Sequence, residues 1–224
     1  MKKSPLMMCI IMLFGLVVGC ERAGNEEIDE QVVQRVSIAK SLAHGSVNPA
    51  LLAEYTNEQT IEKFTNAEKT ANKIQGILNT STPNFDMTFI LKDEKKSFHL
   101  WLSEKSELGM IMKVNDTSTG YSLTKESTAE LLKIINESVQ FRTIAWAAVE
   151  ESQKPHVTGN WEEALVSTII FTDQWLIPNK DLSKFKNQEL VTVNFSTDQD
   201  GLLGPIVVVI NPVTNEVVGF YPRY

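Results

Sequence analysis

Three neighbouring runs decide the fold: Phe85-Asp86-Met87-Thr88-Phe89-Ile90-Leu91, Phe98-His99-Leu100-Trp101-Leu102, and Met110-Ile111-Met112-Lys113-Val114. In the first, Phe85, Met87, Phe89 and Leu91 take every second position; in the second, Phe98, Leu100 and Leu102 do the same. Successive side chains on a strand point to opposite faces, so this period of two reads as β-structure. Tyr121 and Leu123 make a fourth run, and charged residues or Gly, Asn and Asp separate each run from the next. An antiparallel meander with one buried face is the reading that follows.

Working outward, Val32 to Ile38 reads as a strand, because Val36 and Ile38 alternate with polar residues, and His44 to Pro49 reads as a loop. Thr60 to Phe64 is expected to be a short strand. Thr65 then opens a helix, with Glu68 completing a capping box and Ala67, Ala71, Ile74 and Leu78 on one face. On the other side a helix starts at about Lys125, with Ala129, Leu131, Leu132 and Ile135 as its apolar stripe. Phe141, Ile144, Ala145, Ala148 and Val149 form a second stripe that Pro155 ends, and the two are either separate helices flanking Ser138 or one rod. Trp161 to Phe171 is a further strand, Asp173 to Gln188 an irregular connection, and Leu190–Thr197, Leu202–Ile210 and Val217–Tyr221 close the chain as strands. The expected fold class is α+β, with two small modules over 32–138 and 139–224, each an antiparallel sheet packed by one or two helices.

Phe98-His99-Leu100-Trp101-Leu102, Gly109-Met110-Ile111-Met112 and Asn115-Asp116-Thr117-Ser118-Thr119-Gly120-Tyr121-Ser122-Leu123 resemble the YhfM-like domain of Gram-positive lipoproteins, over about Val32 to Ile135. The resemblance implies an α+β module and a lipoprotein location, and it implies no reaction. Gly120 departs from it, since a larger or β-branched residue would suit the start of a strand better. The second half is similar, in pattern, to cystatin- or PepSY-type exported domains, through Val208-Ile210-Pro212 and Thr214-Asn215-Glu216-Val217-Val218-Gly219.

The start of the chain carries an address. Met1-Lys2-Lys3 is positive, Leu6 to Val18 is apolar and uncharged, and Val17-Val18-Gly19-Cys20 resembles the lipobox of bacterial lipoproteins. The apolar run fits the h-region of a secretory signal and is short for a membrane span. The expectation is a leader over 1–19, a diacylglyceryl group on Cys20, and an acidic tether over 20–31. The rival readings are an ordinary signal cleaved elsewhere and an uncleaved anchor. Cys9 and Cys20 are the two cysteines, and Cys9 lies within the leader, so a cleaved chain without lipid would expose one free thiol. Two acyl chains give the stable anchoring that one does not. The expected location is the extracytoplasmic face of the cell membrane.

The net charge of −7 includes Lys2 and Lys3, so the chain without its leader is more acidic still. Such a surface repels nucleic acid, which is excluded as a partner. His44, His99 and His156 lack ligand-spaced neighbours, so no metal and no cofactor is expected. Asp198-Gln199-Asp200-Gly201 has the opening of a calcium loop but lacks the closing Glu, and a hairpin turn explains it. His99 and Trp101 lie on the strand face opposite Phe98, Leu100 and Leu102. An aromatic ring beside an imidazole there is a candidate interaction surface, against the plainer reading of a sheet face packed by a covering element. These features point to a non-catalytic binding or interaction protein of the cell envelope, its partner an envelope protein or a small ligand. The alternatives are an exported regulator of proteolysis and, behind it, an enzyme whose site gathers Asp198, Asp200 and His156 from a distance.

Overall fold

A computed structural model of the protein describes residues 32–172, 174–178 and 181–224. The leader, Cys20 and the tether lie outside the described residues. In chain order the elements are β1 (Arg35–Lys40), β2 (Leu51–Tyr55), α1 (Glu58–Thr70), β3 (Asn72–Lys73), β4 (Phe85–Ile90), β5 (Lys95–Trp101), β6 (Met110–Lys113) and β7 (Gly120–Ser122). They continue with α2 (Lys125–Ala148), β8 (Leu165–Ile170), β9 (Glu189–Phe195), the single turn α3 (Asp200–Leu203), β10 (Ile206–Asn211) and β11 (Glu216–Phe220).

The meander forms as the alternation requires. β4, β5, β6 and β7 pair antiparallel in sequence order, and β1 adds to the outer side of β4. The expectation of two modules does not hold. The described strands form one eleven-stranded mixed sheet, ordered β11-β10-β9-β8-β2-β1-β4-β5-β6-β7-β3. The join is a short parallel pairing of β2 with β8, Ala53 opposite Val166 and Glu54 opposite Ser167. The register carries one apolar row straight across it: Val208, Val193, Val166, Ala53, Ile38, Met87 and Phe98 lie side by side on seven strands. All seven belong to one buried cluster. Separating the halves would expose that row to water, and burial of apolar surface is the main favourable term in folding.

The helix layer is shared in the same way. Thr124 caps α2 by accepting a hydrogen bond from the Ser127 amide at 3.0 Å, and the helix then runs unbroken through residues 138 and 139. Its buried positions Leu131, Ile134, Ser138, Phe141, Arg142 and Ala145 keep the three-four spacing of one helix face. Among the described residues the C-terminal half adds only short 3-10 turns and α3 to the end of α2, and it is not a free-standing cystatin-like module; it is covered by the helix that also packs on α1.

The first helix begins earlier than the capping box suggests. Asn57 accepts from the Thr60 amide at 2.7 Å and so opens α1 ahead of the expected strand at Thr60–Phe64, burying Phe64 and Ala67. Thr65 instead donates to the Glu62 carbonyl at 3.0 Å, inside the helix. α1 stops at Thr70 because Asn72 and Lys73 pair with β7. Ile74 and Leu78, which keep helical phase in the sequence, cross over Gly120 instead. A Cβ on Gly120 would lie 2.8 Å from Leu78 Cδ1 and 3.3 Å from Met110 Sδ, which explains the glycine that looked out of place.

The opposite sheet face is covered by irregular chain. Phe171, Leu176 and Phe185 pack on Leu190, Val209 and Val218 as a second, smaller core. Ile177 exchanges two backbone hydrogen bonds with Phe220, so this connection also shields the edge of β11.

A clamped cleft at the seam of the sheet

Since β2 and β8 pair over two positions, they part toward their N-terminal ends, and their carbonyls there need other donors. Arg142 of α2 supplies them. Its Nε donates to the Ala164 carbonyl at 2.7 Å and its Nη2 to the Leu52 carbonyl at 2.5 Å. The side chain is buried, which pulls its pKa down against the opposing pull of Tyr55 and Glu163. A guanidinium keeps its proton even so.

Beyond this bridge lies a cleft of about 380 Å³ whose walls include Asn48, Ala50, Thr158, Trp161, Asn194 and Ser196. Lys40 and Glu163 join across its lining in an ion pair of 2.7 Å, and the hydrogen bond to Glu163, with its charge, raises the Lys40 pKa. One wall is the segment 157–161. Thr158 donates its amide to the Ser196 carbonyl at 2.9 Å, and Trp161 begins a 3-10 turn that Asn160 caps. Trp161 stacks on Trp146 with the rings 3° from parallel and 5.5 Å apart.

The facing wall is the end of the loop that leads from β1 into β2, and His99 holds it. The Gly45 amide donates to His99 Nε2 at 2.9 Å, so that nitrogen is the acceptor and the ring proton sits on Nδ1. Nδ1 is 2.8 Å from Asp86 Oδ1 and donates to it; Asp86 Oδ2 accepts the Asn48 amide at 2.9 Å. A neutral imidazole and a carboxylate, both buried, thus pin Gly45 and Asn48 to the sheet. Gly45 has φ of 76°, a left-handed conformation that glycine adopts without strain.

The expected surface pair is therefore divided. His99 is 0 % exposed and presents no surface; its cover is a loop. Trp101 is half-buried, donates its indole N–H to the Ser81 carbonyl at 2.9 Å, and meets the ring of His44 at 5.8 Å. The distant trio is brought together in part. His156 Nδ1 lies 3.1 Å from Asp198 Oδ1, next to the cleft wall, whereas Asp200 turns back to accept the Thr197 amide and hydroxyl. Among the described residues no group of three or more His, Cys, Asp or Glu could hold a metal ion, and no helix is long and apolar enough to cross a membrane. Arg142, Asn48 and Asn194 were not legible as site residues. Arg142 alone left a signal: it is a charge in phase with the buried stripe Ser138, Phe141 and Ala145.

Sheet, shared helix layer and clamped cleft define an α and β protein built on one mixed sheet, with its one Asp–His pair buried among the described residues turned to structural use. The family model described as YhfM protein matches residues 31–140, and this chain carries a YhfM domain over that stretch. The match runs from just before β1 to within α2, in agreement with the resemblance over Val32 to Ile135. No curated protein matches the chain. Among solved structures, a thioesterase-like protein from Clostridium sporogenes aligns at 13% identity over 45% of this chain and 92% of its own, with a TM-score of 0.37, too slight a likeness to bear on fold or chemistry.

Proposed function

We propose that the protein is a non-catalytic binding protein of the cell envelope, anchored by a diacylglyceryl group on Cys20 at the extracytoplasmic face of the membrane, with the seam cleft as its binding site. Two observations support the non-catalytic reading: Asp200 turns away from His156 and Asp198 to Thr197, and the Gly45 amide occupies His99 Nε2. A histidine acting as general base must offer that lone pair to a substrate or nucleophile. Here the lone pair is occupied, and the acid–imidazole pair fixes a cleft wall instead. The cleft itself is of the size of small-ligand sites, which start at roughly 300 Å³. The anchor is supported by Lys2, Lys3, the apolar run to Val18, and Gly19 before Cys20.

The full chain, purified from native membranes, should retain a specific envelope component in a pull-down and should leave ester, thioester, glycoside and peptide substrates unchanged. Turnover that His99→Ala abolishes would overturn the non-catalytic reading. Mass spectrometry of the same material should find residue 20 as a lipidated N-terminus; an unmodified Cys20 would overturn the anchor.

A further inference from the structure

The loop over His99 hangs on a hydrogen bond that requires a neutral ring. Gly45 donates its amide to the Nε2 lone pair, and a proton on that nitrogen would set two N–H groups against each other across 2.9 Å. An imidazole takes up that proton as the pH falls toward about 5, whereas a carboxylate ordinarily stays charged there.

Among the described residues, the titratable groups that meet this ring are Asp86 on β4 and His44 on the loop; its neighbours Met112 on β6 and Trp101 on β5 carry no charge. Asp86 Oδ1, 2.8 Å from Nδ1, attracts a positive ring, so Nε2 accepts its proton once the Gly45 amide leaves. His44 pushes the loop the same way. Its ring centre is 5.7 Å from that of His99, and two imidazolium rings at that distance repel until the loop lifts. Residues 42–47 are exposed, so a lift opens Nε2 directly to water. The far end of the loop is held by different chemistry. Asn48 donates its amide to Asp86 Oδ2 at 2.9 Å and its carboxamide to the Lys40 carbonyl at 2.8 Å, and neither bond depends on a neutral His99.

We infer that His99 is an acid-sensitive latch: protonation at Nε2 releases Gly45 and lifts the middle of the loop off His99 and Trp101, while Asn48 stays pinned as the cleft wall. The open state presents a cationic ring beside an indole, where the closed state presents a loop. The latch works whether or not the cleft is occupied.

The test is nuclear magnetic resonance of the full chain in detergent micelles, titrated from about pH 8 to about pH 5, with amide protection corrected for the intrinsic pH dependence of exchange. At the upper end the His99 ring should be neutral, its proton on Nδ1, and the Gly45 amide protected. As the ring nitrogens turn to imidazolium, Gly45 should lose about tenfold of its protection in the same step, the worth of one hydrogen bond, while Asn48 keeps its own. His44→Gln should leave the step in place. His99→Gln offers Gly45 a carbonyl acceptor that takes no proton in this range, and its Gly45 should stay protected throughout. Should that variant not fold, the ring and amide signals of the unaltered chain decide alone. A His99 ring still neutral at about pH 5, an imidazolium with Gly45 still protected, or release of Gly45 ahead of protonation would overturn the latch. So would a step that His44→Gln abolishes or His99→Gln retains, and loss of Asn48 together with Gly45 would overturn the pinned end.

Discussion

Asp86 and His99 show how position and role part company at the level of single residues. The sequence places His99 on the strand face opposite Phe98 and Leu100, and that is where it stands. Its burial was not legible, because the cover comes from Gly45 and Asn48, a loop with no apolar period to announce where it folds back. Replacing His99 with Leu leaves Asp86 Oδ1 and the Gly45 amide without this partner, and hydrogen bonds to a buried charge are worth about 1.5–3 kcal/mol. His99→Leu should therefore cost about 2–4 kcal/mol in urea unfolding, with faster amide exchange at Gly45 and Asn48. Unchanged stability would mean that the pair is no clamp. Tyr55 gives a pH signature. Burial pushes its phenol up to about 12, against the Ser138 hydrogen bond and Arg142, which both pull it down. The folded pKa exceeds the unfolded value near 10, so the protein's stability is complete below pH 10 and drains as pH rises through 12. Two units amount to about 3 kcal/mol, and Tyr55→Phe should flatten the stability curve across that window.

At the level of elements, β2 and α2 decide the architecture, and both were hard to read. Leu51-Leu52-Ala53-Glu54-Tyr55 is rich in good helix formers and gives no strand signal, yet it is the strand that joins the halves. Its conformation is fixed by partners on both sides, β1 and β8, which no local propensity encodes. With β2 unseen, the chain divides naturally into two sheets. The two helical stripes flanking Ser138 were each visible, but the sequence left open whether Ser138 parts them or lies within one rod. Ser138 is a buried hydroxyl bonded to Tyr55 at 2.7 Å and to the Ile134 carbonyl one turn back. Arg142→Met keeps the apolar stem but strips the Leu52 and Ala164 carbonyls of these donors. It should destabilise the protein by about 2–4 kcal/mol in chemical denaturation, more than an exposed charge such as Lys133 replaced in the same helix. Equal effects would show that Arg142 carries nothing at the seam.

At the level of the whole molecule, one sheet and a main core shared by both halves mean one folding unit. Heat should unfold the full chain in a single transition with matching calorimetric and van't Hoff enthalpies. Fragments 32–138 and 139–224 should each stay unfolded by circular dichroism, because the cut severs α2 and strips Ala53 from Val166. Two independent melts would contradict the shared core. The order of β4 to β7, and the hairpins of β9, β10 and β11, could be foreseen from alternation and turns; the seat of β1 beside β4 could not. The union of the two groups could not, since it rests on pairing between segments far apart in the chain.

The place of β1 in the sheet has a mechanical meaning. It stands sixth of eleven, with as many strands on one side as on the other. Whatever pulls on the polypeptide ahead of Arg35 therefore loads the centre, along two full ladders to β2 and β4 at once. A tug there has to slide many bonds together, where a tug on an outermost strand would open them one after another. Under the anchor proposed at Cys20, the line would be made fast amidships.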